Sequence, residues 1–281
     1  MMIENIRKKV QERYGKIAAG AGATSCCDPA KSSCGCSQPV SQILSQSVGY
    51  SDNELKSIPQ EANVGLGCGN PLALASLRQG ETVLDLGSGG GIDCFLASQQ
   101  VGPQGRVIGV DMTPDMIHLA RENASKGHYT NVEFRLGEIE HLPVADNSMD
   151  VAISNCVINL SVDKSQVFRE IFRVLKPGGR MMVSDIVLTK ELPAEVQQSV
   201  AAYTGCIGGA LQKDDYLKAI EAAGFSGVKI MAETGVPVDL WADVPIPNDL
   251  SAKEKISKEQ IKEVLGMIVS AKVYAEKKDG K

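Results

Sequence analysis

Residues Val83-Leu84-Asp85-Leu86-Gly87-Ser88-Gly89-Gly90-Gly91-Ile92-Asp93 constrain the fold more than any other stretch of the chain. Residues of strand character run directly into a glycine cluster, and a helix-forming segment from Cys94 to Gln100 follows. This order predicts a strand, a tight turn and a helix N-terminus. Glycine allows the turn to take φ > 0 and lets a ligand approach the backbone. The helix end beyond it offers N–H groups without intrahelical partners to an anionic or polar group.

The glycine spacing narrows the ligand. A dinucleotide fingerprint G-x-G-x-x-G needs glycine at position 92, where Ile92 stands, and no Gly-Lys-Ser/Thr of a P-loop follows. The pattern is D-x-G-x-G-x-G. A second strand, Arg106 to Val110, ends at Asp111, an acidic residue placed to take both hydroxyls of a ribose. Asp85, the Gly87–Gly91 loop and Asp111 together resemble the class I methyltransferases that use S-adenosylmethionine. A nucleotide site of another α/β protein is the alternative, and the missing third glycine weighs against it. The resemblance implies a Rossmann-like, seven-stranded and mostly parallel sheet, helices on both faces, and a final antiparallel strand. It also implies that Gly87, Ser88 and Gly89 cradle the amino-acid part of the cofactor, with Asp85 and Met112 in the same site.

The chain has 281 residues, 43% of them hydrophobic, enough for one large α/β domain with additions. The formal net charge is −5 and no Lys/Arg-rich run stands out, which argues against a nucleic-acid partner. No apolar run approaches bilayer length, and Met1 to Val10 lacks the apolar core of a secretory signal. The expectation is therefore a cytoplasmic protein, free of membrane partners, with reduced cysteines. Eight cysteines are many for such a protein and need a reason.

Along the chain, Ile3, Ile6, Val10 and Tyr14 recur at helical spacing, predicting a helix over 3–18. A Gly- and Cys-rich loop or arm follows to Cys36. Ser51 to Glu54 reads as a capping box, and Asn70-Pro71 as the start of a helix through Leu77. Strands are predicted at 82–86, 106–110, 132–136, 149–154 and 179–185, alternating with helices at 92–100, 114–126 and 163–175. That alternation gives right-handed crossovers and a parallel sheet. Further helices fall at 191–204 and 213–223, a strand at 227–231, a charged helix from about 257 and a last strand at 266–275.

In an open α/β sheet, ligands bind beyond the carboxyl ends of the strands. The fourth strand ends in Asn155-Cys156, which places both at the rim of the glycine loop. The third strand delivers Glu138 and Ile139 to the same rim, where Glu138 could accept from an adenine amino group and the Ile139 backbone could meet the ring edge. Cys68, between Gly67 and Gly69, and Cys206, between Gly205 and Ile207, lie in glycine-flanked loops and read as more exposed than core cysteines; Cys94 reads as core. Thiols from separate loops at one rim suit a soft metal or metalloid. Structural zinc would show paired C-x₂₋₄-C spacing, which these three lack. His118, His128 and His141 are scattered and read as surface residues.

Gly67-Cys68-Gly69-Asn70-Pro71, Ser154-Asn155-Cys156-Val157-Ile158-Asn159-Leu160 and Cys206-Ile207-Gly208-Gly209-Ala210 resemble the three cysteine motifs of arsenite methyltransferases, over roughly residues 40–235. The resemblance implies methyl transfer from S-adenosylmethionine to arsenite and methylarsenite held by Cys68, Cys156 and Cys206. It implies a redox cysteine near the N-terminus, for which Cys26 and Cys27 are the favoured candidates over Cys34 and Cys36. It also implies thiol reductants such as thioredoxin or glutathione, and thiols whose pKa values nearby N–H groups lower. The family's Tyr-Tyr-Gly appears here only as Arg13-Tyr14-Gly15. The expected organisation is an N-terminal helix and Cys-rich arm over 1–50, a cofactor-binding domain over 51–190, and the arsenic-binding loop, remaining strands and C-terminal segment over 191–281. A methyltransferase for a small organic acceptor would explain the glycine loop but not the cysteines; it would want a carboxylate base, for which Glu138 and Asp185 are the hints. A non-catalytic metalloid-binding protein would leave the cofactor fingerprint idle.

Overall fold

The sheet is built outward from β1 (Thr82–Leu86), whose last four residues are buried. A strand covered on both faces by helices reads as a continuous apolar run, and Val83, Leu84 and Leu86 supply it. The structure is a computed structural model that describes residues 2–20, 39–193, 196–197, 200–235 and 263–279. β1 pairs in parallel with β2 (Arg106–Asp111) on one side and β4 (Met149–Asn155) on the other. β3 (Val132–Leu136) adds in parallel to β2, and β5 (Leu175–Leu188) to β4. β7 (Ile268–Glu276) inserts antiparallel between β5 and β6 (Ser226–Gly235). The order is β3-β2-β1-β4-β5-β7-β6, with β7 the strand of opposite direction, as the class I resemblance implies.

The helices in chain order are α1 (Met2–Ala18), α2 (Val40–Ser47), α3 (Asp52–Lys56), α4 (Leu72–Ala75), α5 (Ile92–Val101), α6 (Pro114–Lys126), α7 (Lys164–Val174), α8 (Val200–Thr204) and α9 (Lys213–Ala222). Phe95 of α5 and Ile117 and Ala120 of α6 pack on one face with Val83, Val107 and Ile153. Phe168 and Ile171 of α7 and Tyr216 and Ile220 of α9 pack on the other with Leu84, Leu86 and Val183. Each buried aromatic or aliphatic side chain contributes about 1.5–3 kcal/mol. These two layers hold the strand ends rigidly enough to aim side chains at the carboxyl rim.

Several boundaries differ from the sequence reading. The helix through Leu77 stops at Ala75, because Ser76 turns left-handed with φ 48°. The fifth strand runs well beyond 179–185, since β7 extends its pairing to Leu188. α2 was not expected; its stretch is small and polar, with Ser45 as its buried residue. Of the helix expected at 191–204, residues 191–193 are not helical, as Pro193 lacks the N–H a helix interior needs, while residues 196–197 and α8 are helical. The Cys-rich arm and most of the charged helix from 257 lie outside them. No described helix is long and apolar enough to cross a membrane.

Candidate functional site

A cavity of about 190 Å³ opens at the carboxyl rim, walled by the glycine loop, the ends of β2 and β4, α1, and the loops carrying Cys156 and Cys206. The glycine loop is shaped by necessity. Gly87 has φ 70°, and a Cβ there would overlap Val157. The Gly87 and Ser88 N–H groups donate to the Val110 carbonyl at 2.7 and 3.1 Å. The Asp111 carboxylate accepts from Gly89 N at 3.0 Å and from Thr113 N at 2.8 Å, so it fixes the loop while lining the cavity. Burial pushes its pKa up, against those two backbone donors. The Ser88 hydroxyl is buried with no partner among the described residues, and a Cβ on Gly89 would meet none of them within 4 Å. An orphaned donor beside an open backbone edge fits a polar ligand such as the amino-acid end of a nucleoside cofactor.

Among the other expected cofactor residues, Met112, Ile139 and Asn155 line the cavity. Asp85 does not; it lies beneath the loop, buried, and accepts from the Cys94 thiol at 3.2 Å. Glu138 is also off the wall, because Arg7 of α1 takes its carboxylate at 3.0 Å. Its neighbour Glu140, unnoticed in the sequence, is buried and reaches the wall, accepting from Ser161 Oγ at 2.6 Å.

The three cysteine loops meet at the far side of this cavity. The Sγ atoms of Cys68 and Cys156 and a carboxylate oxygen of Asp185 all lie within 4.8 Å of one another. The Cys206 thiol donates to the Cys156 carbonyl at 2.9 Å. Cys156 and Cys206 both have left-handed backbones, φ 60° and 65°, a conformation that costs a non-glycine residue about 1–2 kcal/mol. Such strain concentrates at functional sites. Cys68 and Cys206 are buried, at 6% and 5% exposure, contrary to their glycine-flanked appearance. The glycines are there for close packing: a Cβ on Gly67 would lie 3.0 Å from Asn155 Nδ2, and one on Gly69 would overlap Ser184 Oγ. Nor are the thiols of Cys68 and Cys156 acidified. Hydrogen bonds with Cys206 and Cys68, and then burial, push Cys156 well above the ordinary thiol range, and burial pushes Cys68 up. Cys94 is fully buried, as expected. Cys26 and Cys27 lie outside the described residues.

A methyltransferase-domain family model matches residues 77–224. Arsenite methyltransferase of Halobacterium salinarum is 51% identical over 231 residues, 81% of this chain and 59% of that protein. The human arsenite methyltransferase is 34% identical over 233 residues, 78% of this chain and 58% of that protein. The crystal structure of the arsenic(III) S-adenosylmethionine methyltransferase of Chlamydomonas reinhardtii matches with a TM-score of 0.61 and 30% identity, covering 84% of this chain and 73% of that one. The chain belongs to the arsenite methyltransferase family. It spans about three-fifths of the length of the curated relatives from Halobacterium and human.

In this arsenite methyltransferase family member, α1 closes the cavity from above. Gln11 Nε2 donates to the Met112 carbonyl at 2.8 Å, and Arg13 donates to Thr204 Oγ1 at 2.7 Å. The Tyr14 hydroxyl sits 3.9 Å from Cys206 Sγ; burial, reinforced by Cys206, raises its pKa and keeps it protonated. Beneath the sulfurs, Asp185 is buried and accepts from Tyr216 OH at 3.1 Å and Ile186 N at 3.0 Å. Burial raises it to about 7. Asp93, in the first turn of α5, accepts from Tyr50 OH at 2.7 Å and is raised by burial to about 6. Asp93 was visible next to the glycine loop, whereas Tyr50 and Glu140 carry no local signal.

Proposed function

We propose that this chain transfers methyl groups from S-adenosylmethionine to trivalent arsenic, as arsenite and methylarsenite, held by the thiols of Cys68, Cys156 and Cys206, and that this serves arsenic detoxification. The observation that carries the reading is the convergence of three loop thiols, of which Cys156 and Cys206 stand on strained backbone in the wall of a cavity beside the glycine loop. The names of the relatives support it.

S-adenosylmethionine, when bound, supplies a methyl group made electrophilic by its sulfonium sulfur. The Ser88 hydroxyl, the Gly87–Gly89 backbone, Asp111, Met112, Ile139 and Asn155 would hold it. Each thiol replaces one hydroxyl of arsenous acid: an As–S bond forms, and the S–H proton leaves with the hydroxide as water. The raised thiols of Cys68 and Cys156 suit that exchange, because neutral thiols that give up their protons as water leave no net charge in the site. Three sulfurs on one side of arsenic leave its lone pair facing the donor cavity, and positioning of this kind is worth about 7–11 kcal/mol in favourable cases. Transfer takes arsenic from trivalent to pentavalent. Two electrons return from a pair of cysteine sulfurs, which become a disulfide, and a thiol reductant of the thioredoxin or glutathione class restores them. Cys26 or Cys27 would join that relay, in a reducing cytoplasmic setting. Residues 51–190 would bind the donor, and 191–281 would bring the arsenic-binding loop.

Cysteine-to-serine substitutions test this with labelled methyl donor and a reductant. Cys156→Ser and Cys206→Ser are expected to abolish methylation of both arsenite and methylarsenite, and Cys68→Ser that of arsenite alone. Wild-type rates with methylarsenite in Cys156→Ser or Cys206→Ser would overturn the assignment.

A further inference from the structure

Asn155 is the last residue of β4 and immediately precedes Cys156. Its carboxamide lies across the Gly67-Cys68-Gly69 loop. Oδ1 accepts from the Cys68 N–H at 3.1 Å, and Nδ2 donates to the Gly69 carbonyl at 2.8 Å. The two bonds grip the chain on either side of the Cys68 α-carbon. Nδ2 is anchored in turn by the Tyr50 hydroxyl oxygen at 2.8 Å and Asp93 Oδ2 at 3.2 Å. Tyr50 donates to Asp93 itself, so every side-chain polar atom of this trio is engaged. The glycines at 67 and 69 let the loop come this close; a side chain at 67 would press on the Asn155 amide. Ser270 Oγ donates to the Cys68 carbonyl, and the Cys68 thiol donates to the Ser184 carbonyl at 3.5 Å, so the loop has further anchors. The Ser184 carbonyl also accepts from the Cys156 N–H at 2.7 Å, a link that runs through the Cys68 sulfur, whereas the bonds from Asn155 fix the Cys68 backbone directly against the residue before Cys156.

We infer that Asn155 is a positioning residue that sets Cys68 beside Cys156, and so decides whether arsenic is met by three sulfurs or by two. The inference rests on the proposed arsenic chemistry and deepens it. Arsenite has three exchangeable hydroxyls and uses every thiol. Methylarsenite has two and needs only Cys156 and Cys206. Loosening Cys68 therefore separates the two substrates, which a general loss of folding would not do.

The test uses the full chain under reducing conditions, with arsenite or methylarsenite as the probe. Arsenic X-ray absorption counts the sulfur ligands, and equilibrium dialysis gives the affinity. The wild type is expected to bind arsenite through three sulfurs. Asn155→Ala should show two sulfurs and one oxygen, with arsenite bound roughly tenfold more weakly and methylarsenite within about twofold of wild type. Cys68→Ser supplies the reference spectrum. Tyr50→Phe, which keeps both bonds to the loop, should retain three sulfurs. If circular dichroism shows Asn155→Ala unfolded, Asn155→Asp, which keeps only the acceptor for Cys68 N–H, is read by the same criteria. Three sulfurs and wild-type arsenite affinity in the folded variant overturn the inference. Fewer than three sulfurs in the wild type instead overturn the arsenic reading itself.

Discussion

Replacing Asp185 by Asn should change the pH dependence of stability in the arsenic-free protein by a calculable amount. Asp185 is 1% exposed. Burial raises its carboxyl from 3.8 to about 7, against the donors Ile186 N and Tyr216 OH and the nearby Lys164 ammonium. The folded state therefore keeps this proton up to about pH 7, whereas the unfolded chain loses it near pH 4. Unfolding releases a proton throughout that window, so stability falls as pH rises through it and is level above. At 1.36 kcal/mol per unit the whole effect is on the order of 4 kcal/mol, of which about 2.5 kcal/mol falls between about pH 5 and pH 8. Asparagine is neutral at every pH and contributes no such slope. Urea unfolding of wild type and Asp185→Asn, with a reductant present, should thus show the variant gaining about 2.5 kcal/mol on the wild type from pH 5 to pH 8. Parallel curves would refute the buried, protonated carboxyl beneath the sulfurs.

Asp111→Ala should weaken binding of S-adenosylhomocysteine by roughly 10–100-fold, since a carboxylate that lines the cavity and ties Gly89 is lost, and leave arsenite affinity within about twofold; calorimetric titration with each ligand checks the split, and equal losses would contradict two separate subsites. Gly87→Ala combines a left-handed φ with an overlap on Val157, so it should cost about 1–3 kcal/mol in urea unfolding, and a change under about 0.5 kcal/mol would show the turn to be unconstrained.

The parallel core was legible because its signals are local. Glycine after an apolar strand, and Thr113-Pro114 opening a helix, mark their elements without help from the rest of the chain; Pro114 stands at the first position of α6. The three cysteine motifs were equally legible, but their environment was not. Glycines beside Cys68 and Cys206 suggested exposure, whereas they permit the approach of Asn155, Ser184 and Asn159 that buries the sulfurs. Glu138 reached the expected rim, yet Arg7 of α1 claims it, a pairing 131 residues apart that no local pattern announces. Tyr50, Asp93 and Asn155 form a contact set from three distant segments, so only the folded backbone assembles it.

The left-handed backbones at Cys156 and Cys206 carry a lesson about what random substitution would do to this protein. Glycine accepts φ near 60° freely, so exchanging either cysteine for glycine would relieve about 1 kcal/mol of conformational strain. On the proposed reading, both thiols are held for their reactivity in a shape that lowers the stability of the fold.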